Sequence, residues 1–452
     1  MDIPPATFEE NHRSMKVILL PGETADRICG KQRVLPNTQY RETKHLLRVP
    51  CEEGMLLFHT LTGELLLMER GDDPKENSKA LIERWFLVPD TFDECSQSDT
   101  VYRIAAILNP VPENKTKFTV LTTTDCNARC FYCYERGIPR FSMSPAVAKD
   151  VALYIARECA GAPVSLSWFG GEPLYNLEAI DLICACLREH DVEYSSILTS
   201  NGFFLDEATA KKAAADWKVH SAQIAVDGTE KVYNRTKAFL DTQESPFRRV
   251  LDNIEHALDA GIHISIRLNM DRENAEDLYR LIDLLGDRYG RLPNLSAHVI
   301  VLKGITGKVH EFRSPDDALE WKRRLERKLD EWGYLKYGSL PRGLQINRCM
   351  ADNPACEVIL PDGRIQRCEH FDEAEIVGSI YESKRDERKC REWTETVRFP
   401  GCANCALYPM CVPLRRCPWN AAGCSASRQA DLFAMYSRVI RSTYEREKSR
   451  ED

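Results

Sequence analysis

The placement of its cysteines constrains the fold of this chain more than any other feature. The 452 residues include 18 cysteines, of which Cys126, Cys130 and Cys133 stand together and nine more fall between Cys349 and Cys424. The first residues contain neither a basic segment nor an apolar stretch, so we expect a cytoplasmic protein, in which disulfides are rare. Metal ligation is then the better explanation of both groups. The six scattered cysteines are expected to act as small apolar residues.

The charge and hydropathy patterns exclude two classes of partner. A net charge of −8 argues against a general affinity for nucleic acid or for an anionic membrane surface. No apolar run reaches the roughly 18–20 residues that a membrane helix requires. A chain of this length is too long for one simple core, so we expect several domains.

We predict four regions along the chain. Residues 1–112 contain a hairpin pattern, in which Gly54–Thr60 and Glu64–Met68 flank a glycine turn, followed by helical patterns at 77–85 and 95–108. This combination is typical of a winged-helix-like module that recognises a peptide, and a lid that only packs on the next domain fits it equally well. After a linker at 109–115, the chain continues as a core at 113–335, a cysteine-rich region at 336–430 and a charged helical tail at 431–452.

The core region alternates strand and helix patterns, which predicts an α/β fold with a parallel sheet. Ligands of such a sheet lie at the C-terminal ends of its strands, where most of the polar motifs of this region occur. Strands are expected at 118–121, 164–168, 194–198, 222–226, 262–268 and 296–301, and helices at 145–160 and 205–217.

Three cysteines follow the first of these strands. Cys126, Cys130 and Cys133 are separated by three and then two residues, and such a loop can bind three corners of a four-iron cluster. Three ligands for four irons leave one iron open, as a metal centre requires if a substrate is to bind it. A zinc site with a distant fourth ligand is the alternative.

The loop resembles the cysteine motif of the radical SAM superfamily, whose members cleave S-adenosylmethionine (SAM) to a 5′-deoxyadenosyl radical. The resemblance covers about residues 117–302 and implies a partial (β/α)6 barrel that binds SAM and a [4Fe–4S] cluster. The segment that ends the second strand matches a further motif of that family, in which backbone carbonyls and the glutamate bind the ammonium of SAM. Its residues are Gly170, Gly171, Glu172 and Pro173.

The same resemblance places further SAM contacts at the ends of later strands. Ser200, Asn201 and Asp227 would line the site near the ribose and the methionyl group. Arg267 and Asn269, two residues apart and therefore on one face of a strand, would hold the carboxylate and a ribose hydroxyl. A solvated charge at the strand end is the alternative for Arg267. Relatives often carry Ser two residues before Asp227, where this chain has Ala225, so its carboxylate contact must differ.

The C-terminal cysteines resemble the SPASM extension of peptide-modifying radical SAM enzymes. Eight thiols provide two complete sets for two auxiliary [4Fe–4S] clusters. A zinc ribbon is the alternative, and Cys390 remains as a bystander or a replacement ligand. The spacing before Cys417 departs from the family pattern. By resemblance, Cys349, Cys356, Cys368 and Cys417 would hold the first cluster, and Cys402, Cys405, Cys411 and Cys424 the second.

Glu369 directly follows Cys368. In the related sulfatase-maturating enzymes an acidic residue at this place is thought to act as a base, and Glu369 could do so if burial raises its pKa. A surface carboxylate in a loop is the alternative.

The resemblance implies a maturase that installs a thioether or carbon–carbon crosslink in a ribosomally made precursor peptide. Its partners would be that peptide, with its leader bound by the N-terminal region, and an electron donor such as flavodoxin or ferredoxin. Two other classes remain open: a sulfatase-maturating enzyme that oxidises Cys or Ser to formylglycine, and a non-enzymatic metal-binding adaptor.

Overall fold

The computed structural model describes residues 18–20, 22–71, 78–108, 114–302, 309–347, 349–370, 373–408, 410–411, 413–417, 420 and 423–451. Most of the predicted linker at 109–115, including its two prolines, lies outside these ranges. The strands are β1 Ile18–Leu20, β2 Tyr40–Glu42, β3 Leu46–Pro50, β4 Gly54–His59, β5 Glu64–Glu69, β6 Leu87–Pro89, β7 Lys117–Thr123, β8 Val164–Gly170, β9 Tyr194–Ser200, β10 Val219–Ala225, β11 His263–Met270, β12 Leu295–Val301, β13 Cys356–Ile359, β14 Arg364–Gln366 and β15 Gly378–Ser379. The helices are α1 Ser78–Glu83, α2 Glu94–Leu108, α3 Pro145–Cys159, α4 Leu177–Glu189, α5 Glu207–Ala215, α6 Glu230–Lys237, α7 Pro246–Asp259, α8 Ala275–Tyr289, α9 Pro315–Glu331, α10 Glu387–Glu392 and α11 Ala426–Glu451.

The chain folds into two compact units, each built from separate stretches of sequence. We call them the sheet unit, comprising Met1–Pro110, Tyr337–Arg348 and Glu395–Asp452, and the core unit, comprising Val111–Lys336 and Cys349–Thr394. The predicted cysteine-rich region at 336–430 is therefore shared between the two units. No helix in the described part of the chain is long and apolar enough to cross a membrane.

The core unit contains the predicted parallel sheet. Its nine strands have the order β12-β11-β10-β9-β8-β7-β13-β14-β15, and the six strands from β7 to β12 pair in parallel. All six strand predictions are confirmed, although β10 begins three residues before the predicted range. Alternating helices cover the sheet because their apolar faces bury side chains such as Ile155, Ile183 and Leu281 against it.

The sheet continues beyond the six predicted strands. β13 pairs in parallel with β7, and β14 and β15 extend it in antiparallel fashion. The side chains of β13 are all buried, as expected for a strand covered on both faces. The strands β13 to β15 of the cysteine-rich region thus belong to the same sheet as β7, the strand that precedes the cysteine loop.

The sheet unit contains the predicted hairpin, which is confirmed as β4 and β5. They pair in antiparallel register around a turn at Leu61–Gly63, and the sheet has the order β1-β5-β4-β3. Gly63 has a positive φ of 79°, and a Cβ there would lie 2.2 Å from the carbonyl oxygen of Arg342. Helices α1 and α2 agree with the two helical predictions within the described residues. The sheet packs one face against side chains from later in the same unit, namely Leu340, Leu407, Ile440 and Tyr444.

Candidate functional site

The three-cysteine loop begins directly after β7, at the C-terminal edge of the parallel sheet. The backbone N–H of Arg129 donates to the carbonyls of Lys237 at 2.9 Å and Ala238 at 3.1 Å. Farther along, Leu240 N–H donates to the carbonyl of Asn127 at 2.8 Å. Because these bonds tie the loop to the end of α6, its position is set by a rigid element.

The thiols of this loop lie in a largely desolvated environment. Burial raises the pKa of Cys126 and Cys130, and it raises the pKa of Cys133 to about 11. A thiolate is the form that binds metal, so these thiols need a positive group to compensate for their burial. No three His, Cys, Asp or Glu side chains in the described ranges converge closely enough to hold a single metal ion.

The double-glycine turn after β8 lies against the cysteine loop. Gly170 has φ of 131°, and a Cβ there would lie 2.2 Å from the carbonyl oxygen of Thr123. A Cβ on Gly171 would lie 2.3 Å from the carbonyl oxygen of Asp125. Both positions therefore require glycine, because any side chain would separate the turn from the loop.

Glu172 is fully buried, and its carboxylate joins the ends of β8 and β9. One oxygen accepts hydrogen bonds from Ser200 Oγ at 2.8 Å and Leu174 N at 3.1 Å, and the other accepts from Asn201 N at 2.7 Å. Burial raises the pKa of Glu172 to about 7, against the effect of these donors. The predicted contact of Glu172 with the ammonium of SAM stays a prediction, since protein donors already occupy both oxygens.

Asn201 connects the end of β9 to the cysteine loop. Its side-chain Nδ2 donates to Asn127 Oδ1 at 2.7 Å and lies 3.7 Å from Cys126 Sγ. The structure therefore brings Glu172, Ser200 and Asn201 together near Cys126, while their predicted contacts with SAM stay predictions.

A buried polar network lies beside the last two cysteines of the loop. Asp227, which is fully buried, is 2.8 Å from Lys237 Nζ and accepts a hydrogen bond from the Tyr132 hydroxyl. Its other oxygen accepts from the backbone N and Nδ2 of Asn269 at 3.2 and 3.0 Å. The predicted pair is also joined, because Arg267 Nε donates to Asn269 Oδ1 at 2.8 Å. Asp227 and Asn269 thus lie together at this edge of the sheet, and their contacts with SAM stay predictions.

Sequence reasoning missed two members of this network, Tyr132 and Lys237. Tyr132 lies between Cys130 and Cys133, and no sequence pattern indicates that its hydroxyl contacts Asp227. The signal for Lys237 was its position four residues after Tyr233 on α6, which places both on one helix face. Both residues are in fact buried, so this lysine faces the interior.

The predicted second auxiliary set lies within the sheet unit. Burial raises the pKa of Cys405 and of Cys411, and the charges of the nearby thiols Cys402 and Cys424 raise both pKa values further. Cys405 and Cys411 also pack beside the apolar core that includes Leu407. Cys405 and Cys411 are therefore each close enough to Cys402 and Cys424 for their charges to interact, and a shared cluster stays a prediction.

Three cysteines of the predicted first auxiliary set lie in the core unit. Cys356 opens β13, burial raises its pKa, and the nearby Cys349 acts in the same direction. The Arg367 guanidinium fixes the surrounding loop by donating to the carbonyl of Cys356 at 2.7 Å. Cys390 packs against the core of the same unit, whereas Cys417 belongs to the sheet unit.

The segment after Cys368 lies near the cysteine loop. The rings of His370 and Tyr134 are 4.3 Å apart. Burial raises the pKa of Tyr134, and the charges of Glu135, Glu369, Cys133 and Cys368 act in the same direction. Glu369 is half-buried rather than a fully exposed carboxylate. Its role as a base stays a prediction.

Two buried polar atoms beside the loop fit a bound group. The Asn127 Nδ2 and Tyr233 hydroxyl atoms are buried and have no hydrogen-bond partner within the described residues. Buried polar atoms are usually satisfied, so such exceptions call for an explanation. Three thiols with unpaired donors beside them fit an anionic metal cluster and its organic ligand.

Comparison with known proteins agrees with this geometry. Residues 120–285 match the radical SAM superfamily. The Fe-coproporphyrin III synthase of Methanosarcina barkeri (strain Fusaro / DSM 804) is 24% identical over 217 residues, which are 47% of this chain and 52% of that protein. The chain thus spans about half the length of this curated relative.

Two solved structures share the fold. Native anSMEcpe with bound AdoMet and Cp18Cys peptide has a TM-score of 0.57 and 17% identity, covering 73% of this chain and 99% of that one. SuiB of Streptococcus suis bound to precursor peptide SuiA has a TM-score of 0.50 and 13% identity, covering 82% and 94%.

The parallel α/β sheet, with three thiols in the loop after β7, agrees with the fold of the radical SAM superfamily. The chain carries a radical SAM domain over residues 120–285, and this domain implies SAM and a [4Fe–4S] cluster.

Proposed function

We propose that this enzyme modifies a ribosomally made precursor peptide by installing a thioether or carbon–carbon crosslink. The proposal rests on one observation: the core unit contains the three-cysteine loop, and four further thiols, Cys402, Cys405, Cys411 and Cys424, belong to the sheet unit. A fully ligated cluster has no open iron for substrate and is suited to electron transfer. Closing a ring by loss of two hydrogens requires such an acceptor for the second electron.

The cluster and SAM, when bound, supply a 5′-deoxyadenosyl radical for hydrogen abstraction. Cys126, Cys130 and Cys133 would hold the cluster, and the loop around them is fixed by α6. The close approach of Gly170 and Gly171 to the loop leaves backbone groups to orient SAM. Arg267 and Asn269 would hold its carboxylate and a ribose hydroxyl, as the family resemblance implies.

The sheet unit offers a place for an extended peptide. β3 is an edge strand of its sheet, and no strand among the described residues pairs with its outer side. A leader peptide can add to such an edge through main-chain hydrogen bonds. The related structures with bound peptides, anSMEcpe with Cp18Cys and SuiB with SuiA, support a peptide substrate.

The predicted auxiliary ligands and their partners belong to this proposal. Cys349, Cys356 and Cys368 would bind one auxiliary cluster, with the fourth ligand predicted to be Cys417. Glu369 would remove a proton during substrate oxidation. The electron donor would be a cytoplasmic flavodoxin or ferredoxin.

The test is product analysis on anaerobically reconstituted enzyme with SAM, a reductant and the precursor peptides encoded beside its gene. We expect 5′-deoxyadenosine to form and one peptide to lose about two hydrogens, with fragmentation placing a link between two residues. The Cys126→Ala, Cys130→Ala, Cys133→Ala variant should do neither, and a Cys405→Ala, Cys411→Ala variant should still cleave SAM without completing the link. Peptides of unchanged mass alongside efficient SAM cleavage would refute the proposal.

A second candidate is the oxidation of a single Cys or Ser residue. The related structure with the higher TM-score contains the peptide Cp18Cys. Fragmentation separates the two functions, because an oxidised residue carries the whole mass change by itself.

A further inference from the structure

Lys237 is an ionisable side chain in the interior of the core unit. Its side chain is 3% exposed, and its Nζ lies 2.8 Å from Asp227 Oδ2 and 2.9 Å from the Tyr132 hydroxyl. Asp227 is fully buried, and Tyr132 stands between Cys130 and Cys133. Lys237 and Asp227 therefore form a buried ion pair next to the cysteine loop.

Stability alone gives little reason for this pair. Removing two charges from water costs about as much as their attraction returns, and apolar residues of similar volume often replace such pairs without loss. Lys237 could in principle be a methionine packed against the ring of Tyr233, which its Nζ approaches to 5.9 Å. Packing therefore does not explain this pair, and the two charges require a functional explanation.

Both charges act on the cluster-binding thiols. Burial raises the pKa of Cys130, the ammonium of Lys237 opposes that rise, and the carboxylate of Asp227 adds to it. Burial lowers the pKa of Lys237, but Asp227, Cys130 and Cys126 together raise it by more, which keeps its ammonium charged. Lys237 therefore lies within electrostatic range of all three thiols and Asp227 within that of Cys130, in a medium where charges interact more strongly than in water.

We propose that Lys237 and Asp227 set the reduction potential of the [4Fe–4S] cluster held by Cys126, Cys130 and Cys133. The reduced cluster carries one more negative charge than the oxidised one, so a fixed cation favours the reduced form and a fixed anion the oxidised form. Net local charge and burial are among the factors that control such potentials. Lys237 is a positioning residue, since it acts through the field at the thiolates. The proposal depends on cluster binding and not on the identity of the substrate.

The test is a redox titration followed by electron paramagnetic resonance, without peptide. The relevant cluster is identified by the change in its signal when SAM is added. For Lys237→Met we expect about a tenfold lower ratio of reduced to oxidised cluster at a fixed potential, which is 59 mV for a one-electron couple. Asp227→Asn should move the potential in the opposite direction, and the double variant should return it toward that of the natural protein.

A matched control pair lies on the surface of the same unit. Lys212 and Asp181 form an ion pair at 2.6 Å with side chains 44% and 35% exposed, so Lys212→Met and Asp181→Asn should leave the potential unchanged. Lys237→Arg keeps the charge and should also leave it nearly unchanged. Opposite shifts for Lys237→Met and Asp227→Asn support the proposal. Shifts of the same sign, no shift, or loss of the cluster in both variants would overturn it and leave the pair a structural role only.

Discussion

Two buried histidines make the sheet unit sensitive to mild acid. Burial lowers the pKa of His45 and of His59 from 6.5 to about 3, and their rings lie 5.9 Å apart. His45 Nε2 is 2.8 Å from Ser98 Oγ, and His59 Nδ1 accepts from Thr62 N at 3.2 Å. Both imidazoles are neutral in the folded unit, whereas both become charged when it unfolds below pH 6.5.

The sign and size of the effect follow from this difference. At a pH above the unfolded-state pKa of 6.5, such a histidine does not change the free energy of unfolding. As the pH drops from 6.5 toward the folded-state pKa of about 3, the unfolded state binds more protons and the free energy of unfolding falls. At pH 5 the pH lies 1.5 units below the unfolded pKa, so each histidine removes about 2 kcal/mol from the free energy of unfolding. Repulsion between two imidazolium rings adds to the cost of charging both.

The measurement is hydrogen–deuterium exchange at β3 and β4 between pH 7.5 and 5, corrected for intrinsic exchange rates. We expect protection of these strands to fall steeply, and His45→Asn to reduce the slope by about half because one of the two groups is gone. His220→Asn, a change at an exposed histidine, serves as the control and should keep the full slope. Protection that stays constant down to pH 5, or an unchanged slope in His45→Asn, would refute the assignment of these histidines as neutral and buried.

Two further changes test the site directly. Gly171→Ala should abolish SAM binding, measured by equilibrium dialysis, because its Cβ would lie 2.3 Å from the Asp125 carbonyl oxygen. Gly338→Ala, where the Cβ meets no atom within 4 Å and φ is not positive, should bind SAM normally, and equal binding by both variants would contradict the close-approach argument. Cys405→Ala with Cys411→Ala should lower the iron content by about four per chain. The same measurement on Cys186→Ala should show no loss, and an unchanged iron content in the double variant would exclude the second auxiliary cluster.

The sequence predicts the local parts of this fold better than its long-range connections. The six core strands follow from apolar patterns, and the meeting of Asp227 with Asn269 follows from the rule that parallel strands place their C-terminal ends at one edge. The pairing of β13 with β7 joins residues more than two hundred positions apart, and no local pattern encodes it. The division of the cysteine-rich region between two units also depends on contacts between distant residues, so the sequence does not predict it.

The polar contacts inside the site are not predicted from the sequence, for a different reason. A lysine is almost never fully buried unless it is paired, so Lys237 would be assigned to the surface from residue type alone. Its partner, Asp227, was expected to contact SAM, and only coordinates show that its oxygens are occupied by Lys237, Tyr132 and Asn269. Sequence reasoning identifies the residues that carry chemistry and leaves open which of them bind one another.

The discontinuous sheet unit has a consequence for synthesis on the ribosome. Leu47 of β3 and Phe58 of β4 pack in one apolar cluster with Ile440 and Tyr444 of α11, which are translated almost four hundred residues later. Contacts so far apart in sequence form slowly, and apolar surface that waits for its partner is prone to aggregation. We therefore expect the core unit to fold first, while β3 and β4 remain without their packing partner until α11 emerges. Nascent chains arrested before residue 426 should remain sensitive to protease within residues 46–69 even though the parallel sheet is already resistant.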